Sequence, residues 1–319
     1  MTMTALNRSP ARLTLKLAIA AALLVIPAAV TTAGYAQDSS ALQIEEAEGP
    51  NPWSHLDFAN NPNDFQFAVI ADLTAGLRPG IFENAVEKLN LMHPEFVMCV
   101  GDLIEGGTED TARLAEEWAE FEGWIDRLEA PFFYLPGNHD IGNEVMKKVW
   151  EERHGTRYYH FIYRDVLFLV ADTDDPPRRA ISDQQIEYFR EVLENNQDVR
   201  WTMVFLHRPT WLPDYSGEVP LNSEKFETLF QGRPHTVFAG HDHKYSKAVR
   251  NGRNYYVLST TGAQGRGETY QTTRDHNSKK LLGLEKGEFD HILWVTMTDQ
   301  GPVVANLLLD GILDDDPVH

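Results

Sequence analysis

The chain has 319 residues, of which 42% are hydrophobic and 24% charged, with 28 Lys+Arg against 48 Asp+Glu and a formal net charge of −20. So acidic a surface repels polyanions at long range and argues against nucleic-acid binding, while a small anion held by a local cation stays compatible with it. A single cysteine, Cys99, excludes an internal disulfide and reads as a small buried residue within a strand.

Arg8, Arg12 and Lys16 precede a small-residue-rich apolar stretch from Leu17 to Val30, and Gly34-Tyr35-Ala36 follows it. This order predicts a secretory signal peptide over residues 1–36, cut after Ala36. The apolar stretch is short for a membrane span, and no later segment approaches that length. The expectation is an exported protein, periplasmic or secreted, with no span in the mature chain; an uncleaved N-terminal anchor is the alternative. Residues 37–63 are polar, with Glu45, Glu46, Glu48 and three prolines, and read as a linker or arm.

From Asp64 onward strands alternate with helices, the signature of βαβ units, so residues 64–311 are expected to form one α/β domain before an acidic tail at 312–319. The apolar run Phe67–Ala71 leads into Asp72. Ile81, Ala85, Leu89 and Met92 then recur at helical spacing. The run Phe96–Gly101 leads into Asp102. A cleaner stripe follows in Leu114, Trp118, Phe121, Ile125 and Leu128. Phe132–Gly137 leads into Asn138-His139-Asp140. Tyr158–Val170 reads as a hairpin joined at Arg164-Asp165. Ser182 with Gln185 is a capping box opening a helix through Ile186, Phe189 and Leu193. Met203–Leu206 leads into His207, and Thr236–Gly240 into His241-Asp242-His243. Gly262–Lys280 is a long polar loop carrying Arg266, Arg274, His276, Lys279 and Lys280, and Phe289–Met297 with Val303–Leu309 makes a final strand pair.

Five apolar runs thus end on residues able to hold a metal ion. If those strands share a sheet and run the same way, their ends converge on one crevice beyond the carboxyl edge. Carboxylate, amide and imidazole together suit first-row divalent cations. Singly, Asp72 and Asp102 have an ordinary explanation as turn residues, and His207 as a core histidine. Their joint occurrence, in this order and each at a strand end, is what carries the reading.

Gly-Asn-His-Asp at 137–140 and Gly-His-Asp-His at 240–243 are the specific motifs, with Gly-Asp-Leu-Ile-Glu at 101–105 a less specific third. With Asp72 and His207 they resemble the calcineurin-like metallophosphoesterases over roughly Phe65–Tyr245. The resemblance implies an α/β fold of two mixed β-sheets in a sandwich flanked by helices, and two divalent metal ions (Mn, Fe, Zn or similar). It implies that Asp102 bridges the metals, that Asn138, His207 and His241 complete one shell, and that Asp72 and His243 serve the other. His139 would be the non-ligand histidine that aids the leaving oxygen, oriented by Asp140. The implied reaction is hydrolysis of a phosphomonoester or phosphodiester in a small phosphorylated substrate by a metal-activated water.

Two positions depart from the family pattern. Its Asp-x-His is here Asp72-Leu73-Thr74, so one metal loses an imidazole, and its second Asp is here Glu105. Thr74 is expected to be a weak ligand or to leave a water, and Glu105 to act behind the ligands. Arg78 and Arg208 are candidate phosphate clamps. The alternatives are a phosphoesterase-like binding protein with a degraded metal site, and an enzyme that fills one metal position only.

Overall fold

Phe65–Ile70 forms β1, and every side chain in it except Gln66 is buried. Such a strand reads as a near-continuous apolar run because both faces are covered. In this computed structural model the described residues are Ser54, 61–176, 179–213, 217–264, 282–283 and 286–312. The expected signal peptide, nearly all of the 37–63 arm, the polar loop beyond Gln264 and the tail beyond Ile312 lie outside them.

After β1 come α1 (Ile81–Met92), β2 (Val97–Cys99), α2 (Thr111–Ile125), β3 (Phe132–Phe133) and α3 (Glu144–His154). The second half holds β4 (Tyr159–Tyr163), β5 (Val166–Ala171), α4 (Asp183–Asn195), β6 (Trp201–Leu206), α5 (Ser223–Thr228), β7 (His235–Ala239), β8 (Ser246–Arg250) and β9 (Arg253–Val257). It ends with the short pair β10 (Leu282–Gly283) and β11 (Glu288–Phe289), then β12 (His291–Thr298) and β13 (Gly301–Leu308).

The strands make two mixed sheets. A five-stranded sheet has the order β13-β12-β1-β2-β3, and a six-stranded sheet the order β4-β5-β6-β7-β9-β8. The ligand-bearing strands therefore do not share one sheet. β1, β2 and β3 run parallel in the first, whereas β6 and β7 run parallel in the second. Their ends still meet because the sheets pack face to face.

Side-chain alternation along the strands produces that packing. In β5, Val166, Phe168 and Val170 join the core shared by the two sheets, while Leu167, Leu169 and Ala171 join a second cluster with Ile186 and Phe189 of α4. Phe67 of the first sheet meets Phe168 and Phe205 of the second at ring-centroid distances of 5.5 and 6.3 Å. Each such ring contributes about 1.5–3 kcal/mol by burial. Cys99 is buried in this core, and burial pushes its thiol up to about 12, so it behaves as an inert packing group.

Local signals act as expected in most places. The β4–β5 hairpin turns at Arg164-Asp165, both at positive φ (44° and 59°), the conformation that matches strand twist. Leu114, Trp118 and Phe121 face the core from α2, which Asp110 caps by accepting from the Ala112 and Arg113 amides. Ser182 caps α4, but Gln185 does not close the box. Its amide instead brackets Asp172, donating to the carbonyl at 2.9 Å and accepting from the amide at 2.8 Å. α3 escapes periodicity because only Met146 and Trp150 bury in an otherwise charged segment. Among the described residues no helix is long and apolar enough to cross a membrane.

His291 pins β12 to the segment after β9. Its Nδ1–H donates to Asn306 Oδ1 at 2.8 Å and its Nε2 accepts from the Ser259 amide at 3.1 Å. It is fully buried, and burial lowers its pKa from 6.5 to about 4. The unfolded chain takes the proton near pH 6.5 while the folded chain refuses it until about pH 4. This histidine therefore costs stability as pH falls through that window, by about 3 kcal/mol in full. Urea unfolding at pH 7 and pH 4.5 should show a smaller acid loss in His291→Gln than in the wild type; equal losses would refute the assignment.

Candidate metal centre

Each of the five ligand turns follows a strand, β3 half-buried and the other four largely buried, and backbone geometry then aims its side chain inward. Asp102, His241 and His243 all take positive φ (58°, 73° and 53°), a conformation that is uncommon outside glycine and clusters at functional sites. The motif glycines allow the turns to touch. A Cβ on Gly137 would lie 2.2 Å from Asp102 Oδ1, and one on Gly240 would lie 2.4 Å from Asp72 Oδ2.

Two groups of buried donors result. Ligand atoms of Asp102, His207 and His241 lie within 4.8 Å of one another, and so do those of Asp72, Asp102 and His243. Asp102 belongs to both. In the first group His207 Nε2 is 3.3 Å from Asp102 Oδ2, 3.2 Å from Asn138 Oδ1 and 3.3 Å from His241 Nδ1. In the second, His243 Nε2 is 3.3 Å from Asp72 Oδ1.

Outer contacts fix which nitrogen faces inward. His207 Nδ1 sits 2.8 Å from the Val100 carbonyl and His243 Nδ1 sits 2.6 Å from the Gln264 carbonyl. A carbonyl only accepts, so both rings carry Nδ1–H and turn Nε2, the nitrogen that can ligate, to the cluster. Asp72 Oδ2 is buried without a hydrogen-bond partner. An orphaned carboxylate oxygen in a buried group of carboxylates and imidazoles is the donor set a divalent cation satisfies, so the residues fit such an ion. Burial opposes ionisation of Asp102, yet His207 and His139 hold its carboxyl well below the usual range. Asp102 in turn draws the His207 pKa up against that ring's own burial.

Asp140 does different work from that expected. No hydrogen bond joins its carboxylate to the His139 ring among the described residues. Its carboxylate accepts from four backbone amides, those of Asp102, Leu103, Ile104 and Gly137, at 2.8, 2.8, 3.1 and 2.7 Å. The 102–104 turn is thereby tied to the 137–140 turn. His139 is oriented instead by the Glu105 carbonyl, 2.7 Å from Nδ1, and its own amide donates to Asp102 Oδ1 at 2.8 Å.

The departing positions also brace turns. Thr74 is buried, and its hydroxyl lies 2.8 Å from the Ile104 carbonyl and 3.1 Å from that of Asp102, so it donates to backbone. Glu105 Oε1 accepts from the Gly76 and Leu77 amides at 2.8 and 2.7 Å. Arg78 is not poised as a phosphate clamp: both guanidinium branches pair with Asp290, and Nε donates to the Ala263 carbonyl at 3.0 Å. Arg208 is buried, with Nε 2.9 Å from Asp174 Oδ2 and Nη1 2.7 Å from His241 Nε2.

One group of residues was overlooked in the sequence. β5 ends on Asp172-Thr173-Asp174-Asp175, all buried, the same signature as the other five runs. Arg157 pairs with Asp172 at 2.8 Å and Asp175 at 3.2 Å, while Asp174 reaches the cluster through Arg208. Burial pushes the Asp172 carboxyl up to about 7 despite Arg157. Reading Tyr158–Val170 only as a hairpin hid this sixth terminus.

The Asp140 network yields a stability prediction. Asp140→Ala strands four buried amides and should cost more than about 3 kcal/mol in urea unfolding, whereas Asp140→Asn keeps one accepting oxygen and should cost visibly less. Equal, small losses would contradict the network.

The family model of the calcineurin-like phosphoesterases matches residues 65–245, more than half of the chain, and the chain belongs to that family of metal-dependent phosphoric ester hydrolases. The same fold occurs in purple acid phosphatase PPD1 from yellow lupin (Lupinus luteus) seeds, with a TM-score of 0.58 and 15% identity over 78% of this chain and 52% of that one. A dimetal phosphatase from Danio rerio gives a TM-score of 0.53 at 13% identity, over 77% and 99% of the two chains. GAP50, the anchor in the inner membrane complex of Plasmodium, gives 0.57 at 14% identity, over 78% and 86%. No curated protein matches the sequence.

Proposed function

We propose that this protein hydrolyses phosphomonoester or phosphodiester bonds in small phosphorylated substrates outside the cytoplasm, using two divalent ions. The observation that carries the reading is the pair of buried three-donor groups sharing Asp102. Asp102 would bridge the ions, Asn138, His207 and His241 would complete one position, and Asp72 and His243 the other. Bound there, the ions would activate a water and neutralise phosphoryl oxygens. Mn, Fe and Zn all suit this mixed oxygen and nitrogen set.

The remaining work falls to the chain. His139 is half-buried and tethered through Nδ1 to the Glu105 carbonyl, which leaves Nε2 to hold a proton for the departing oxygen. Asp140 positions Asp102 and the His139 backbone rather than the imidazole. The net charge of −20 disfavours nucleic-acid substrates and stays compatible with small ones. Export is supported by the basic residues and apolar stretch of residues 1–36.

A second reading is a binding protein of the same fold with little turnover. It is favoured by Thr74, whose hydroxyl is committed to backbone where the family places an imidazole, and by the anchoring role named for GAP50. The mature protein loaded with Mn²⁺ should turn over chromogenic phosphate mono- or diesters, and Asp102→Ala should lose both turnover and metal. Absence of turnover with several metals would favour the binding reading. Thr74→His should tighten the Asp72/His243 position by roughly tenfold or more in calorimetric titration with Mn²⁺. Unchanged affinity would show that this position does not need the imidazole.

A further inference from the structure

The histidines of the centre differ in what stands behind them. His139, His207 and His243 each set Nδ1 against a backbone carbonyl, at 2.7, 2.8 and 2.6 Å. His241 is reversed. Its Nδ1 faces the cluster, 3.3 Å from His207 Nε2, and its outer nitrogen Nε2 lies 2.7 Å from Arg208 Nη1.

A guanidinium is always protonated and has no acceptor. The nitrogen it contacts must therefore accept. A neutral imidazole has one N–H, so acceptance at Nε2 puts the ring proton on Nδ1, the atom that faces the other donors. An ion on Nδ1 would move that proton to Nε2 and set donor against donor at the Arg208 contact. Second-sphere acceptors normally strengthen a ligating histidine by taking its outer N–H. Here a cation stands in their place, and it is no accident of a loose side chain. Arg208 is buried, paired through Nε with Asp174 at 2.9 Å, and its amide donates to Thr173 Oγ1 at 3.0 Å.

We propose that Arg208 is a positioning residue that weakens metal loading at the His241 position, by holding an obligate donor against the outer nitrogen of that ring. The proposal rests on reading Asp102, His207 and His241 as metal ligands. Asp174 already holds Nε and keeps the guanidinium anchored when Nη1 leaves His241, so loading is coupled to a turn of Nη1 away from that ring. The weakness expected beside Thr74 would then be matched by one on the opposite side of Asp102.

Substitution by a donor or an acceptor separates this from plain packing. Arg208→Lys keeps an obligate donor and should leave Mn²⁺ affinity within about threefold of wild type. Arg208→Gln offers a carbonyl that accepts Nε2–H and should tighten one Mn²⁺ position by about tenfold or more in calorimetry. Because Gln leaves the buried Asp174 without its cation, Asp174→Asn/Arg208→Gln is the companion variant if the single one does not fold. In chelator-treated wild type, ¹⁵N-resolved imidazole spectra should place the His241 proton on Nδ1. A proton on Nε2, or folded Gln variants that bind Mn²⁺ no more tightly than Arg208→Lys, would overturn the proposal. Wild-type affinity in Asp102→Ala would instead sink the ligand assignment beneath it, whatever the His241 spectrum shows.

Discussion

Four backbone N–H groups converge on the carboxylate of Asp140, and the geometry of the centre depends on that convergence. Buried amides at the ends of β2 and β3 have no strand partner, and leaving them unsatisfied is costly. One carboxylate answers four of them and locks the two turns together. Asp102 is held in its left-handed conformation between those turns, so its oxygens point at both donor groups. Asp140 therefore acts on the chemistry through backbone position and not through the imidazole beside it in sequence.

Around that knot, polar groups are buried in unusual density. Asp72, Asp102, His207, His241 and His243 are all removed from solvent, as are Asp172, Asp174 and Asp175. Buried carboxylates persist only when paired with cations or hydrogen-bond donors. Arg157 and Arg208 serve the cluster after β5, and backbone amides serve Asp140. Asp72 Oδ2 has no partner, so the charge around it calls for a cation, which the family supplies as metal. The overall acidity of the chain does not conflict with an anionic substrate, because a local dication outweighs distant screened charges.

The two halves of the centre are not equivalent. The Asp72/His243 half lacks the family's imidazole, and the residue in its place ties two carbonyls of the neighbouring turn. The His207/His241 half keeps its full donor set but has Arg208 behind one ring. Both features would lower metal occupancy without removing the shared bridge, and they bear on loading more than on whether an ion fits.

Much of this was legible in the sequence. Apolar runs closed by Asp, Asn and His mark strand ends, because strand burial and ligand chemistry both leave their mark on residue type. The hairpin at Arg164-Asp165, the stripes of α1 and α2, and the donors Asp72, Asp102, Asn138, His207, His241 and His243 follow from those marks. Four things needed tertiary structure. The division of the ligand strands between two sheets depends on hydrogen-bond pairing across distant segments. The work of Asp140, the engagement of Arg78 by Asp290 and the contact of Arg208 with His241 depend on which backbone amide or side chain lies opposite. Sequence fixes what a residue can donate or accept, through its own chemistry. Only folding decides which partner stands within 3 Å of it, because that distance is set by packing between segments far apart in the chain.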